Sequence, residues 1–344
     1  MTHSRSISEE EEGPILFADR PEWSDVVTTP QYETDQPIAP ILYSPEYKDA
    51  SDYFRAIVAS QERSERVLEL TERLIRLNPA HYTAWQYRYE TLLALSSPLE
   101  TELELMNELA VKYLKTYQVW HHRRLLITQL RTPQPELKFV EKCLQVDSKN
   151  YHTWSYRQWL LSHFVDDEDL WRGELDFIEN TIGDDVRNNS AWHHRHFAVF
   201  GCGVRPGEED RARVVKRELT FTKQNISLAP NNPSAWNYLR GILDTMKLPY
   251  SLLTQFVKPY TVPLDPKRMD IVDLENPPPP PGAQLPCVHA IEFLADIHEQ
   301  AGDKDNILKA VELWRSLANE HDTIRGKYWE RRIRDALNAS TSSA

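Results

Sequence analysis

Apolar positions in this chain recur at three- and four-residue intervals, the spacing of one face of an α-helix. Between Asp52 and Leu77 the face is Phe54, Ile57 and Val58, then Val67, Leu70, Leu74 and Leu77, and Asn78-Pro79 ends the helix that this run predicts. A second helix is predicted over Tyr82 to Leu95, followed by an amphipathic partner with the stripe Leu99, Leu103, Met106, Ala110 and Tyr113. The pattern then repeats, with Tyr117 to Leu130 leading and Leu137, Val140 and Leu144 marking a partner that ends at Val146. Each unit thus reads as a leading helix and the amphipathic helix after it. Polar turns, Asp147-Ser148-Lys149-Asn150, Asn188-Asn189-Ser190 and Asn231-Asn232-Pro233-Ser234, precede later leading helices and line up on one edge. His289 to Gln300, Asp305 to Asn319 and Thr323 to Leu337 predict three more helices that cap the array. No segment alternates with period two, so the expected class is all-α.

Every leading helix carries a tryptophan with an arginine three or four residues later. The tryptophans are Trp85, Trp120, Trp154, Trp192 and Trp236, at steps of 35, 34, 38 and 44 residues, and Trp329 with Arg332 closes the chain. A period of that size marks a stacked repeat protein, because one helical pair cannot bury its apolar face alone. The steps suit tetratricopeptide repeats, but the small-residue and Gly-Tyr positions of that repeat are missing. Burial explains the tryptophans, and the arginines one turn on are placed to hydrogen-bond carbonyls or acids of a neighbouring repeat.

Two stretches break the pattern. Residues 1–45, rich in Ser, Glu, Pro and Thr with an acid run at Glu9 to Glu12, read as a mostly disordered arm that becomes partly ordered near Trp23. The helical repeat domain then occupies 46–344, interrupted at 263–286 by an inserted loop whose run Pro277 to Pro281 must be extended.

The 344 residues can form one repeat body, and 10 glycines against 23 prolines suit long helices separated by prolines. A formal charge of −12 argues against a general nucleic-acid surface, so a phosphate-bearing ligand would need a local basic spot. Cys143, Cys202 and Cys287 are too few and scattered for a disulfide framework or a Cys-x-x-Cys metal site. With no signal peptide, membrane span or lipidation motif, a cytoplasmic protein is expected. His121-His122 and His193-His194 with His196 lack the i, i+4 spacing with a following carboxylate, so no metal site is expected on this chain. There is no glycine-rich phosphate loop, and no nucleophile triad can be assigned.

Three copies of the motif read Tyr-x-x-Trp-x-x-Arg, namely Tyr82-Trp85-Arg88, Tyr117-Trp120-Arg123 and Tyr151-Trp154-Arg157. With Asn150-Tyr151-His152-Thr153-Trp154 and Arg187-Asn188-Asn189-Ser190-Ala191-Trp192, the chain resembles the protein prenyltransferase α subunits. Ile41-Leu42-Tyr43-Ser44, Asp52-Tyr53-Phe54-Arg55-Ala56 and Glu62-Arg63-Ser64-Glu65-Arg66 are similar to the region before the first repeat in the α subunit shared by farnesyltransferase and geranylgeranyltransferase type I. The resemblance spans about Trp23 to Trp329, with departures at Arg240, in the acidic stretch Asp166 to Asp169 and in the proline-rich loop.

The resemblance implies a right-handed α-α superhelix, a crescent-shaped solenoid of helical hairpins wrapped around an obligate β subunit. It implies transfer of an isoprenoid from farnesyl or geranylgeranyl diphosphate to the cysteine of a C-terminal CaaX motif. Lys149, a solvated turn lysine on sequence grounds alone, becomes the contact to the diphosphate. Tyr151 and Asn188, with Tyr117 and His152 beside the peptide, would bind substrate, while Arg157 and Trp192 are packing that supports those turns. Zinc would be bound by the β subunit and not by this chain, and magnesium could accompany the diphosphate. The Rab geranylgeranyltransferase α subunit and a non-enzymatic helical scaffold are the alternatives.

Overall fold

The computed structural model describes residues 15–31, 38–201, 210–263 and 273–342. Glu9 to Glu12, Cys202 and residues 264–272 of the loop lie outside the described residues. The chain divides into two compact units, residues 1–157 and 158–344. Among the described residues there are helices and turns and no strand.

The first unit opens with α1 (Pro45–Ser60), capped by the Ser44 hydroxyl, which accepts the Tyr47 amide at 3.2 Å. The helix read as continuous to Leu77 breaks here. Gln61 takes a left-handed φ of 56° that ends α1, and α2 (Glu65–Leu77) starts afresh after Ser64. Both faces were read correctly, with Phe54, Ile57, Val67, Leu70 and Leu74 all buried. Then follow α3 (Tyr82–Ala94), α4 (Leu99–Lys112), α5 (Tyr117–Leu130), α6 (Gln134–Val146) and α7 (Tyr151–His163), the last crossing into the second unit. Part of the N-terminal arm joins this core. Trp23 is fully buried, edge-on to Tyr53 at 5.5 Å and to Phe17 at 5.1 Å, and the Phe17 amide donates to Asp49 Oδ2 at 2.7 Å.

The second unit holds α8 (Glu168–Trp171), α9 (Glu174–Asp184), α10 (Asn189–His196), α11 (Arg211–Leu228), α12 (Pro233–Met246), α13 (Thr254–Val257), α14 (Val288–Ala301), α15 (Lys304–Ser316) and α16 (Gly326–Ser342). Its last three helices enclose an apolar cluster around Trp314 and Trp329. The proline run is extended, as Pro-rich chain must be, and it is docked. Tyr260 and Ser227 hydroxyls donate to the carbonyls of Pro277 and Pro278 at 2.8 and 2.9 Å, and Pro279 is buried.

The tryptophan-bearing helix proves to be the second of its pair. α3 packs on α2, α5 on α4, α10 on α9 and α12 on α11. The pairing expected from the apolar stripes, with the helix that follows, is corrected by a hydrogen bond that stripes do not reveal. In every copy the indole Nε1 donates to the carbonyl six residues upstream: Trp85 to Pro79, Trp120 to Leu114, Trp154 to Ser148, Trp192 to Val186 and Trp236 to Pro230, at 2.7 to 2.9 Å. Each indole thereby staples its helix to the turn just before it. Trp329 departs from this, donating instead to the Asp322 carboxylate at 2.9 Å.

Candidate functional site

A second ladder joins one pair to the next. Arg88 on α3 makes a two-pronged ion pair with Glu102 on α4, at 2.7 and 2.6 Å, and the same carboxylate takes a 2.8 Å bond from His122 Nε2 on α5. Arg123 and Tyr156 share Glu136 in the same way. In the second unit Arg195 and Tyr238 share Glu218, and Glu174 accepts from His194 Nε2 at 2.6 Å. Burial raises the Glu102 carboxyl, but hydrogen bonds from His122 and Arg88 outweigh it and bring the group down to about 2. Burial also pushes the His122 imidazole below its ordinary value, so the ring is neutral and donates its Nε2 proton. These histidines are framework, and the arginines bind acids as anticipated. The later copies converge on Asp296, which takes Arg240 at 2.7 Å and Arg332 at 3.0 Å.

With the frame fixed, the turns ahead of the tryptophan helices present the remaining side chains. The turn 147–150 is held at each residue. Asp147 Oδ1 accepts the Lys149 amide at 3.3 Å, Trp154 holds the Ser148 carbonyl, and buried Asn150 Oδ1 accepts the amide and hydroxyl of Thr153 at 3.0 and 3.1 Å. That last pair is an N-cap closing the start of α7. Lys149 itself is exposed at the amino end of α7, and Tyr151 next to the cap is 69% exposed. Lys149 adds a positive charge beside the amino end of α7, where the helix dipole itself favours an anion.

Three of the expected substrate-side residues meet. The His152 ring stands edge-on to Tyr117 at 4.2 Å and to Tyr151 at 5.5 Å, and partial burial pushes its imidazole down. Tyr117 also lines a cleft of about 430 Å³ with Tyr82, Trp85, His121 and Leu125. Arg157 is buried, with Nη2 3.6 Å from Glu141 and Nη1 3.5 Å from the Leu137 carbonyl.

Asn188 and Trp192 lie in the second unit. Asn188 is fully buried, its Oδ1 accepting the amides of Ser190 and Ala191 at 3.1 and 3.4 Å, so this side chain caps α10. Trp192 is buried and staples the same turn through Val186. Arg187, which sequence reasoning passed over, occupies the position of Lys149: both stand five residues ahead of a tryptophan, with the amide held by an Asp two residues back, at 2.9 Å for Asp185. Lys115 has the same place ahead of Trp120 and lies 3.7 Å from Asp147. The signal was the fixed spacing to the tryptophan. Among the described residues no group of three or more His, Cys, Asp or Glu side chains could hold a metal ion.

A repeat in which tryptophan staples one turn and arginine ties the next acid defines a class of α-helical hairpin proteins. The chain belongs to the protein prenyltransferase α-subunit family. The protein prenyltransferase alpha subunit repeat matches residues 64–95, 99–130, 133–164, 171–201 and 215–246, each match ending with a tryptophan helix as the observed pairing requires. The protein farnesyltransferase/geranylgeranyltransferase type-1 subunit alpha of Dictyostelium discoideum is 35% identical over 94% of this chain and 95% of its own length. Its counterpart in Schizosaccharomyces pombe is 35% identical over 90% and 92%. A solved structure, Candida albicans protein geranylgeranyltransferase-I complexed with GGPP, superimposes with a TM-score of 0.76 at 31% identity, covering 91% of this chain and 98% of that one.

Proposed function

We propose that this chain is the α subunit of a heterodimeric protein farnesyltransferase and geranylgeranyltransferase type I, working with a β subunit on CaaX proteins. The observation that carries the reading is near full-length similarity to proteins of that name. A second observation, the rigid turn that holds Lys149, supports a role for this subunit at the diphosphate.

In the reaction the cysteine thiolate of the acceptor attacks the first carbon of the isoprenoid. A sulfur–carbon bond forms, the carbon–oxygen bond breaks, and the electron pair leaves on diphosphate. Negative charge grows on that leaving group, and an ammonium already fixed in place stabilises it without reorganisation. Lys149 supplies that charge, and Tyr151, Tyr117 and His152 border the bound substrates. Asn188 and Trp192 shape the turn at Arg187 from beneath. Zinc, which makes the acceptor cysteine a thiolate, is assigned to the β subunit, and magnesium to the diphosphate. The site of action is cytoplasmic, in keeping with the buried free thiols of Cys143 and Cys287. No helix among the described residues is long and apolar enough to cross a membrane.

The type-2 reading is disfavoured by coverage. The geranylgeranyl transferase type-2 subunit alpha of Sus scrofa is 32% identical over only 53% of this chain and 34% of its own length.

The test is co-expression with farnesyltransferase and geranylgeranyltransferase type I β subunits, followed by transfer of labelled isoprenoid to a CaaX peptide. Turnover should appear with a β partner, and Lys149→Ala should cut kcat by roughly 10²-fold in an intact complex. Wild-type turnover by that variant would sink the diphosphate role, and absence of any complex or transfer would favour a scaffold.

A further inference from the structure

The second unit holds a groove that the proposed reaction does not use. It has a volume of about 630 Å³ and runs along α11, against the connection after α12 and the segment that enters the proline run. Arg211, Val215, Leu219 and Lys223 all line it at four-residue spacing, so they form one stripe on α11. Lys216 stands beside them, and Leu248 and Leu252 make the opposite apolar wall. Leu252 is 59% exposed.

The charge here runs against that of the whole protein. The chain carries a net −12, yet among the described residues three cations line this groove against one acid, Glu275. Lys223 is partly buried, and its ammonium rests on two neutral oxygens, the Glu275 carbonyl and Asn276 Oδ1, each at 3.0 Å. The Glu275 and Asp273 carboxylates act on it only through space, and burial pushes the amine down. A carboxylate entering the groove would therefore meet an ammonium that lacks a direct ionic partner among the described residues. Arg211 and Lys223 are three helical turns apart, about 18 Å at 1.5 Å per residue. An extended peptide covers that distance in about five to six residues.

We infer that this groove binds an acidic peptide segment in extended form, with apolar side chains seated between Val215, Leu219 and Leu252 and acidic residues at both ends meeting Arg211 and Lys223. Apolar contacts supply affinity, and the separated cations fix register and select against basic segments. The site is independent of the prenyl-transfer chemistry and of Lys149.

The probe is a fluorescein-labelled peptide, Glu-Glu-Leu-Gly-Leu-Gly-Glu-Glu, titrated by fluorescence anisotropy against the complex of this chain with its β subunit. Saturable binding is expected, weakened roughly tenfold by Lys216→Glu and by Leu252→Glu, and progressively lost with salt. Both variants should keep wild-type CaaX transfer, which shows that they fold and assemble. Absence of saturable binding, insensitivity to both variants, or equal affinity for the peptide with serine in place of leucine would each overturn the proposal. Adsorption to phosphatidylserine vesicles without peptide binding would overturn it in favour of membrane contact.

Discussion

The Trp154 indole donates a 2.9 Å hydrogen bond to the carbonyl of Ser148, the residue next to Lys149. A tryptophan buried for packing thus also fixes the backbone from which the ammonium projects. Trp154→Phe would keep most of the buried area and remove only that donor. The lost bond is worth about 1 kcal/mol. If all of it reaches the transition state, kcat falls about fivefold. The corresponding Trp85→Phe, in a turn with no cation at the matching position, Ala80, should lower stability by a similar amount and leave kcat unchanged. Steady-state kinetics of the two variants separates positioning from general loosening, and an equal kcat in both would contradict it.

Asn150 closes the same turn from the other side, its Oδ1 taking both the amide and hydroxyl of buried Thr153. Asn150→Ala should cost about 1 to 2 kcal/mol of stability, measurable as a lower urea midpoint. Asn150→Ser should recover part of it, since its hydroxyl can accept the Thr153 amide as a cap, whereas Asn150→Asp would set a carboxylate against Asp147 Oδ2, to which Asn150 Nδ2 donates at 3.5 Å. Failure of Ser to recover more than Ala would mean that capping is not what Asn150 provides.

Much of this frame could be read before the fold was known. The six tryptophans, the helix faces and the polar turns ahead of the tryptophan helices follow from local spacing, because burial and capping are decided within a few residues of chain. What was illegible depends on residues far apart. Glu102, Glu136, Glu174 and Glu218 each lie 20 residues ahead of the His or Tyr that bonds them. Counted forward from the preceding tryptophan, the same glutamates fall at irregular distances, which hid the register. The break at Gln61 was missed because the apolar face continues across it. Asn188, expected among the substrate-binding residues, is a buried cap, and the turn sequence gives no sign of that depth.

Arg88 and Glu102 are both almost wholly buried and face each other through two bonds. Glu102→Gln would leave the guanidinium only the more distant Glu72, at 3.9 Å, as counter-charge, also depriving His122 of a strong acceptor. Breaking a buried pair from one side costs about 3 to 5 kcal/mol. Arg88→Met with Glu102→Gln together should cost less than Glu102→Gln alone, because no unpaired ion then remains. A double-mutant cycle by urea unfolding checks this, and simple additivity would refute the coupling.

The same carboxylate gives the fold a defined response to acid. His122 is held below its ordinary 6.5 by burial, so the unfolded chain takes up a proton there that the folded chain refuses. Stability must then decline as pH falls through 6.5. Glu102 titrates at about 2 when folded against an ordinary 4.5, so its contribution is complete above 4.5 and is lost as pH falls towards 2. The Glu102 part amounts to about 3 kcal/mol across that window. His122→Gln keeps a donor to Glu102 and cannot be protonated. Its urea midpoint, compared with wild type from pH 7 to pH 3, should decline less in the upper window, as pH falls below 6.5. A variant profile that tracks wild type through the upper window would show that the His122 proton is not what the fold loses there.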